Sequence, residues 1–378
     1  MSHPIYLDHN ASTPIDPIVL KAMFQEMEQE EGNPSSVHSH GRRCRQILEH
    51  ARETLARFLN VKSQELLFTS GGTEGANLLI QGFMNQNPSC HVITSNAEHS
   101  CVYNTLKRLS QKTGAISFLP THLWGAVQPD AVLNAIQPNT GLIVLMAVNN
   151  ETGIKTDISA IAAIALEKRI PFIVDGVALL GKEPFSIPPG VTAMFFSGHK
   201  LHGPKGVGFV FCRQSFKFPS FMCGGSQEFN RRPGTENLPG IVGLSAAVTL
   251  LEIGQKQFTD HMKNMCDRLE TGLKSNLNDI IVNGEGPRVA NTLNVSFPGI
   301  DGESLLMALD LEKISVSHGS ACSSGSIEPS RILLNMGIPL IQARSAIRFS
   351  VSRKTTPEEI DRCVESLMQI VKRMQALK

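Results

Sequence analysis

Phe172-Ile173-Val174-Asp175, and further on Ala193-Met194-Phe195-Phe196-Ser197-Gly198-His199-Lys200, decide how this chain folds. Each is a short apolar run that stops on polar or charged residues. The pattern recurs at Leu66–Thr69, His91–Thr94, Ala115–Leu119, Leu142–Ala147 and Val207–Cys212. Helical patterns separate most of these runs. A helical spacing also precedes them, at Ile47, Leu48, Ala51, Leu55, Phe58 and Leu59. Such alternation predicts an α/β fold, a mostly parallel sheet covered by helices on both faces. Ligands of these sheets sit beyond the carboxyl ends of the strands, so the residues that follow each run carry most weight.

After about residue 238 the pattern changes. A long helical region, Leu238 to Asn276, leads into a second α/β segment with strand-like runs at Thr292–Phe297 and Ile347–Val351. The chain closes on the helical stretch Pro357 to Ala376. The expected division is a large domain over 14–250 and a smaller α/β domain built from 1–13 and 251–378. A chain of 378 residues fits two such units.

Composition narrows the function class. The chain is 41% hydrophobic and 18% charged with a formal net charge of +1, which offers nothing to nucleic acid or to an anionic membrane surface. A single Trp argues against a base-stacking surface. The N-terminus lacks a basic region followed by an apolar one, and the longest apolar run, Leu142 to Val148, is far short of the ~20 residues that span a bilayer. Cysteines at 44, 90, 101, 212, 223, 266, 322 and 363 form no C-x-x-C pair, so neither a zinc site nor a disulfide framework is expected. Scattered thiols fit a reducing cytoplasm.

Several motifs begin where a strand-like run ends. Ser70-Gly71-Gly72-Thr73-Glu74 would bring backbone N–H groups and a helix N-terminus to an anion; alone, a Gly-Gly stretch between strand and helix is more often only a turn. Asp175 could face a cationic ring nitrogen or cap a helix. Lys200 stands at the sheet edge, where a partly desolvated amine forms Schiff bases, beside the candidate phosphate donors Ser197 and His199. His99 could stack on a ring and move protons, or be structural. Asn150 could hydrogen-bond a ring or substrate, or shape a turn. Arg348, inside an apolar run, needs a substrate carboxylate or an ion-pair partner.

One further stretch, Ser317-His318-Gly319-Ser320-Ala321-Cys322-Ser323-Ser324-Gly325-Ser326, sets a lone thiol among small residues that cannot bury it. Cys322 reads as a nucleophile that moves. A phosphate cradle, ring acid, Schiff-base lysine, stacking histidine, carboxylate clamp and thiol together suit pyridoxal phosphate chemistry on an amino acid.

These residues resemble those of the cysteine desulfurases, class V members of the fold-type-I pyridoxal phosphate enzymes. The resemblance runs nearly end to end. It includes Tyr6-Leu7-Asp8-His9-Asn10-Ala11-Ser12-Thr13-Pro14, Gly32-Asn33-Pro34-Ser35-Ser36, Ala97-Glu98-His99, Ser197-Gly198-His199-Lys200, Pro233-Gly234-Thr235-Glu236-Asn237 and Gly319-Ser320-Ala321-Cys322-Ser323-Ser324. The serine-rich cysteine loop is similar to that of the nitrogen-fixation and housekeeping branch that supplies iron–sulfur cluster assembly.

What the resemblance implies is conversion of L-cysteine to L-alanine, with sulfur carried as a Cys322 persulfide to an acceptor protein. Lys200 would hold pyridoxal 5'-phosphate as a Schiff base and Asp175 would pair with its ring nitrogen. Gly72, Thr73, Ser197 and His199 would hold the phosphate, and Thr235 would reach the phosphate of a neighbouring subunit in a homodimer. His99 would stack on the ring and move protons. Asn150 and Arg348 would orient the substrate. A cytoplasmic enzyme follows, with no metal, nucleic-acid or membrane partner. Its acceptor would be an iron–sulfur scaffold or another sulfur-acceptor protein.

The chain departs from the family pattern at Ala178, where a glutamine usually bonds the phenolic oxygen of the cofactor; an alanine cannot. His318, where serine is common, is a smaller departure. The alternatives are a selenocysteine lyase, another class V aminotransferase that needs no loop thiol, and a weakly active docking platform.

Overall fold

The structure is a computed structural model and describes residues 3–29, 31–111, 115–319 and 329–376. In chain order the strands are β1 (Ile5–Tyr6), β2 (Leu66–Thr69), β3 (His91–Ser95), β4 (Ile116–Leu119), β5 (Thr140–Met146), β6 (Phe172–Asp175), β7 (Ala193–Ser197), β8 (Gly208–Cys212), β9 (Ile281–Val282), β10 (Thr292–Ser296), β11 (Ile314–Ser315) and β12 (Ala346–Ser350). The first six helices are α1 (Pro17–Met27), α2 (Ser39–Leu59), α3 (Gly72–Gln86), α4 (Ser100–Leu109), α5 (Pro129–Ala135) and α6 (Ile158–Lys168).

Seven strands form one sheet in the order β2-β8-β7-β6-β5-β3-β4. It is mostly parallel, as the run pattern predicts; β8 alone is reversed, antiparallel to both β2 and β7. Successive residues of a strand point to opposite faces, and the packing on the sheet divides accordingly. Phe172 and Val174 of β6 pack with α2, α6 and the helix Leu238–Asn276, whereas Ile173 packs with α3 and α4. Burial on both faces explains why these strands read as continuous apolar runs instead of alternating ones.

A second core gathers Ile5 and Leu7, Leu293 and Val295 of β10, Ile347 and Phe349 of β12, and the helix Pro357–Ala376. Here β12, β10 and β9 form an antiparallel sheet, while β1 pairs in parallel with β11. The helix Leu238–Asn276 passes from one core to the other, with Leu244 and Val248 in the first and Leu269 and Leu273 in the second. Among the described residues it is also the helix long and apolar enough to cross a bilayer, with a mean hydropathy of 1.4 over an 18-residue window. The sequence reading found no such segment because small and polar residues interrupt its apolar ones. Those apolar residues pack against α1 and α2.

Parallel β2, β3, β5, β6 and β7 bring their carboxyl ends to one edge, so the motifs after Thr69, Ser95, Met146, Asp175 and Ser197 converge. The reversal of β8 brings its start, Gly206-Val207-Gly208, to that same edge. A buried ion pair secures this side of the sheet. The Arg52 guanidinium meets both Glu228 carboxylate oxygens at 2.8 Å, and the same carboxylate accepts the Phe68 N–H at 2.8 Å. The two side chains are 3% and 1% exposed, so neither can fall back on water. Glu228→Ala is expected to cost about 3 kcal/mol, because it removes the buried bidentate partner and leaves the guanidinium only the half-exposed Glu49 carboxylate, 3.2 Å from its Nε. Urea unfolding at fixed pH measures that loss.

Candidate active site

The converging motifs enclose a cavity of about 560 Å³, a volume suited to a small cofactor with a substrate. Its lining includes Gly72, Thr73, His99, Asn150, Asp175, Ser197, His199, Lys200 and Arg348, all singled out from sequence. Thr235 is exposed and lies outside this lining. Cys322 lies outside the described residues.

At one end the N-terminus of the 15-residue α3 opens onto the cavity. Gly71 holds φ +152°, a conformation that side-chain-bearing residues rarely adopt, and a Cβ on Gly72 would sit 2.7 Å from Val177 Cγ2. Glycine therefore lets the chain turn so that free N–H groups face the cavity. The Ser197 hydroxyl, His199 and Lys205 line the cavity too. Burial, with Lys200 and Lys205 adding to it, pushes the His199 pKa down to about 4, so this imidazole is neutral. The set suits a phosphate.

At the end of β6 lies Asp175, 5% exposed, with Oδ1 accepting the Val177 N–H at 2.9 Å. Burial pushes its pKa up to about 6, against the opposing pull of that N–H and of Lys200. A carboxylate held this way is matched to a buried cation, such as a protonated ring nitrogen. Lys200 follows β7 and donates from Nζ to the backbone carbonyls of Asn10 and of Ala11, the latter at 2.9 Å. Anion cradle, buried carboxylate and amine thus fit the three ends of pyridoxal 5'-phosphate.

Arg348 on β12 is 2% exposed. The ion-pair alternative is what its contacts show: Nη2 lies 2.6 Å from Asp8 Oδ1, and Nη1 donates to the Asn150 carbonyl at 3.0 Å. Its Nε finds no partner among the described residues, and neither does Oδ1 of Asn150.

Sequence reasoning gave no role to several residues here. The Asn10 and Ala11 carbonyls belong to the motif Tyr6–Pro14, but which strand end it would meet is not encoded locally. Glu98 is fully buried, accepts the Ser95 hydroxyl at 2.6 Å, and has a pKa pushed up to about 8, chiefly by burial. Lys182, 3% exposed and also lining the cavity, donates to the Lys200 carbonyl at 3.0 Å. Burial, then the charges of Lys200 and Arg353, lower its pKa to about 7. Lys182 stands four residues after Ala178, a spacing that carried no signal by itself.

The family model described as "Aminotransferase class-V" matches residues 5–363. The chain belongs to this family. Its members depend on pyridoxal phosphate, and the residues around the cavity fit that group. The chain is 39% identical to a Nostoc protein named cysteine desulfurase, over 99% of this chain and 94% of that protein. It is 37% identical to the cysteine desulfurase IscS of Dictyoglomus turgidum, over 100% of this chain and 97% of its relative. A solved NifS-like protein superposes with a TM-score of 0.92 at 32% identity, covering 98% of this chain and 100% of its own. A structure titled SspA in complex with cysteine gives a TM-score of 0.82 at 30% identity, covering 93% of this chain and 100% of its own.

Asp175 also ties stability to pH. Its pKa is raised on folding, so the stability it contributes is full below the unfolded value near 4 and is lost as pH rises through about 6. Asp175→Asn keeps the Val177 contact and never ionises. In cofactor-stripped protein this variant should be about 2–3 kcal/mol more stable than wild type at pH 8, with the gap closing towards pH 4. Thermal unfolding at pH 5 and pH 8 tests this. The same variant should retain pyridoxal phosphate less tightly on dialysis.

Proposed function

We propose that the chain is a pyridoxal-phosphate-dependent cysteine desulfurase that converts L-cysteine to L-alanine and takes the sulfur onto Cys322. The observation that carries this reading is how the segment bearing Cys322 is tied at both ends to the cavity. Before it, Ser317 and Arg348 exchange backbone hydrogen bonds at 3.2 and 2.7 Å. After it, the Ser330 hydroxyl donates to the carboxylate of Glu151, next to Asn150. An aminotransferase needs no thiol there, and the curated relatives named above are desulfurases.

When bound, pyridoxal phosphate supplies an electron sink that makes the substrate's α and β carbons reactive. The amine of Lys200 anchors it and is placed to move the α proton. The carboxylate of Asp175 keeps the proton on its ring nitrogen. Helix α3, Thr73, Ser197 and His199 hold its phosphate. Arg348, held by Asp8 and the Asn150 carbonyl, keeps its Nε for the substrate carboxylate, and Asn150 offers its Oδ1; neither atom has a partner among the described residues. The Cys322 thiolate takes the sulfur: an S–S bond forms, the substrate C–S bond breaks, and its electron pair ends in a C–H bond of alanine. L-cysteine and the thiol thus give L-alanine and a persulfide, with no outside oxidant.

A homodimer completes the reading, with Thr235, outside its own chain's cavity lining, serving the phosphate of the second copy. The persulfide passes to an acceptor protein in the cytoplasm, and an iron–sulfur scaffold is the acceptor that the IscS and NifS names of its relatives favour.

Alanine formation from cysteine by purified protein tests the proposal; a protein that holds the cofactor and forms no alanine would sink it. Cys322→Ser should abolish alanine and sulfide release, a loss of at least about 10³-fold, while leaving the cofactor's visible absorbance in place. Lys200→Ala should remove the borohydride-reducible attachment of the cofactor.

A further inference from the structure

His99 lines the cavity and is also the N-cap of α4. These two positions constrain its protons. The backbone N–H of Cys101 donates to His99 Nδ1 at 3.2 Å, and the Cys101 sulfur lies 3.0 Å from the same nitrogen. A backbone N–H can only donate, so Nδ1 must be the acceptor and the ring proton of the neutral imidazole belongs on Nε2. Turning the ring over would set a carbon against that N–H and leave a helix-terminal donor without a partner. Cys101 also lines the cavity. Burial, followed by the negative fields of Asp175 and Glu98, pushes its pKa well above 9, so it is a thiol and a second donor. Burial, with the charges of Lys200 and Arg331 adding to it, lowers the His99 pKa to about 4.

We infer that His99 is locked as a neutral imidazole with its proton on Nε2, and that Cys101 is the positioning residue that locks it. This deepens the desulfurase reading and rests on it. His99 can give a hydrogen bond from Nε2 to the substrate bound in the cavity. It cannot take up the α proton there, because Nε2 is already occupied and Nδ1 is turned into α4. Proton abstraction at the α carbon therefore falls to Lys200. Cys101, held as a thiol, is also no rival to Cys322 for the sulfur, since thiolates are the nucleophiles.

The test is long-range 1H–15N correlation on ¹⁵N-histidine-labelled holoenzyme, with His99→Gln used to assign the signals. From pH 6 to 9, His99 should show a protonated Nε2, a bare Nδ1 and no titration. A proton on Nδ1, or a doubly protonated ring appearing between pH 6 and 8, overturns the lock. In Cys101→Val the Nδ1 signal should move towards that of an unbonded ring nitrogen, and in Cys101→Ser it should stay. An unmoved signal in Cys101→Val overturns the part given to the thiol. These readings do not depend on turnover. A locked ring in a protein that makes no alanine would refute the desulfurase reading alone, and an unlocked ring in an active enzyme would refute this inference alone.

Discussion

Arg348 places a guanidinium inside a five-residue strand, β12, where water cannot reach it. A buried charge must be paired and hydrogen-bonded or it unfolds its surroundings. Its partners are the carboxylate of Asp8 and the carbonyl of Asn150, residues from the start and the middle of the chain. That requirement pulls three distant segments to one point. Asn10 continues the tie: its side chain donates to Thr292 Oγ1 at 2.8 Å and accepts from Asn291 at 2.9 Å. Its own carbonyl, with that of Ala11, then holds the amine of Lys200. A polar chain thus runs from β10 and β12 to the sheet edge where the cofactor's anchor stands.

Desolvation sets the chemistry of the cavity that this tie closes. Burial leads among the causes acting on Asp175, Glu98, His99, Lys182 and His199, and every one shifts towards its neutral form. The histidines of the site are therefore neutral, and a cofactor that brings a phosphate and a protonated ring supplies the charges that the α3 terminus and Asp175 are arranged to meet. The cradle at α3 and the carboxyl of Asp175 face different ends of that molecule.

Much of this was readable along the chain. The limits of β2 and of the helices Leu238–Asn276 and Pro357–Ala376 match the sequence pattern residue for residue, because wholly apolar strands and amphipathic helices carry their signal locally. The motif residues at the strand ends were readable for the same reason. The reversal of β8 was not, since a strand buried on both faces reads alike in either direction. The Arg52–Glu228 pair was hidden as well: the glutamate sits in an irregular segment, and nothing nearby says which arginine it will meet. Cys101 looked like one scattered thiol among eight.

From residue types and spacing alone, this protein's sequence determined an α/β fold, a row of strand-end motifs and the chemical kinds of group in them: an amine, a carboxylate, an imidazole, glycines before a helix and a thiol. Tertiary structure decided how each group is used. It decided that Arg348 is held by Asp8, that the Asn10 and Ala11 carbonyls cap Lys200, and that His99 turns Nδ1 to α4. The first two depend on residues hundreds of positions apart meeting in a space without water. The third depends on which way a ring is turned, and only a backbone N–H held in place by a folded helix can settle that.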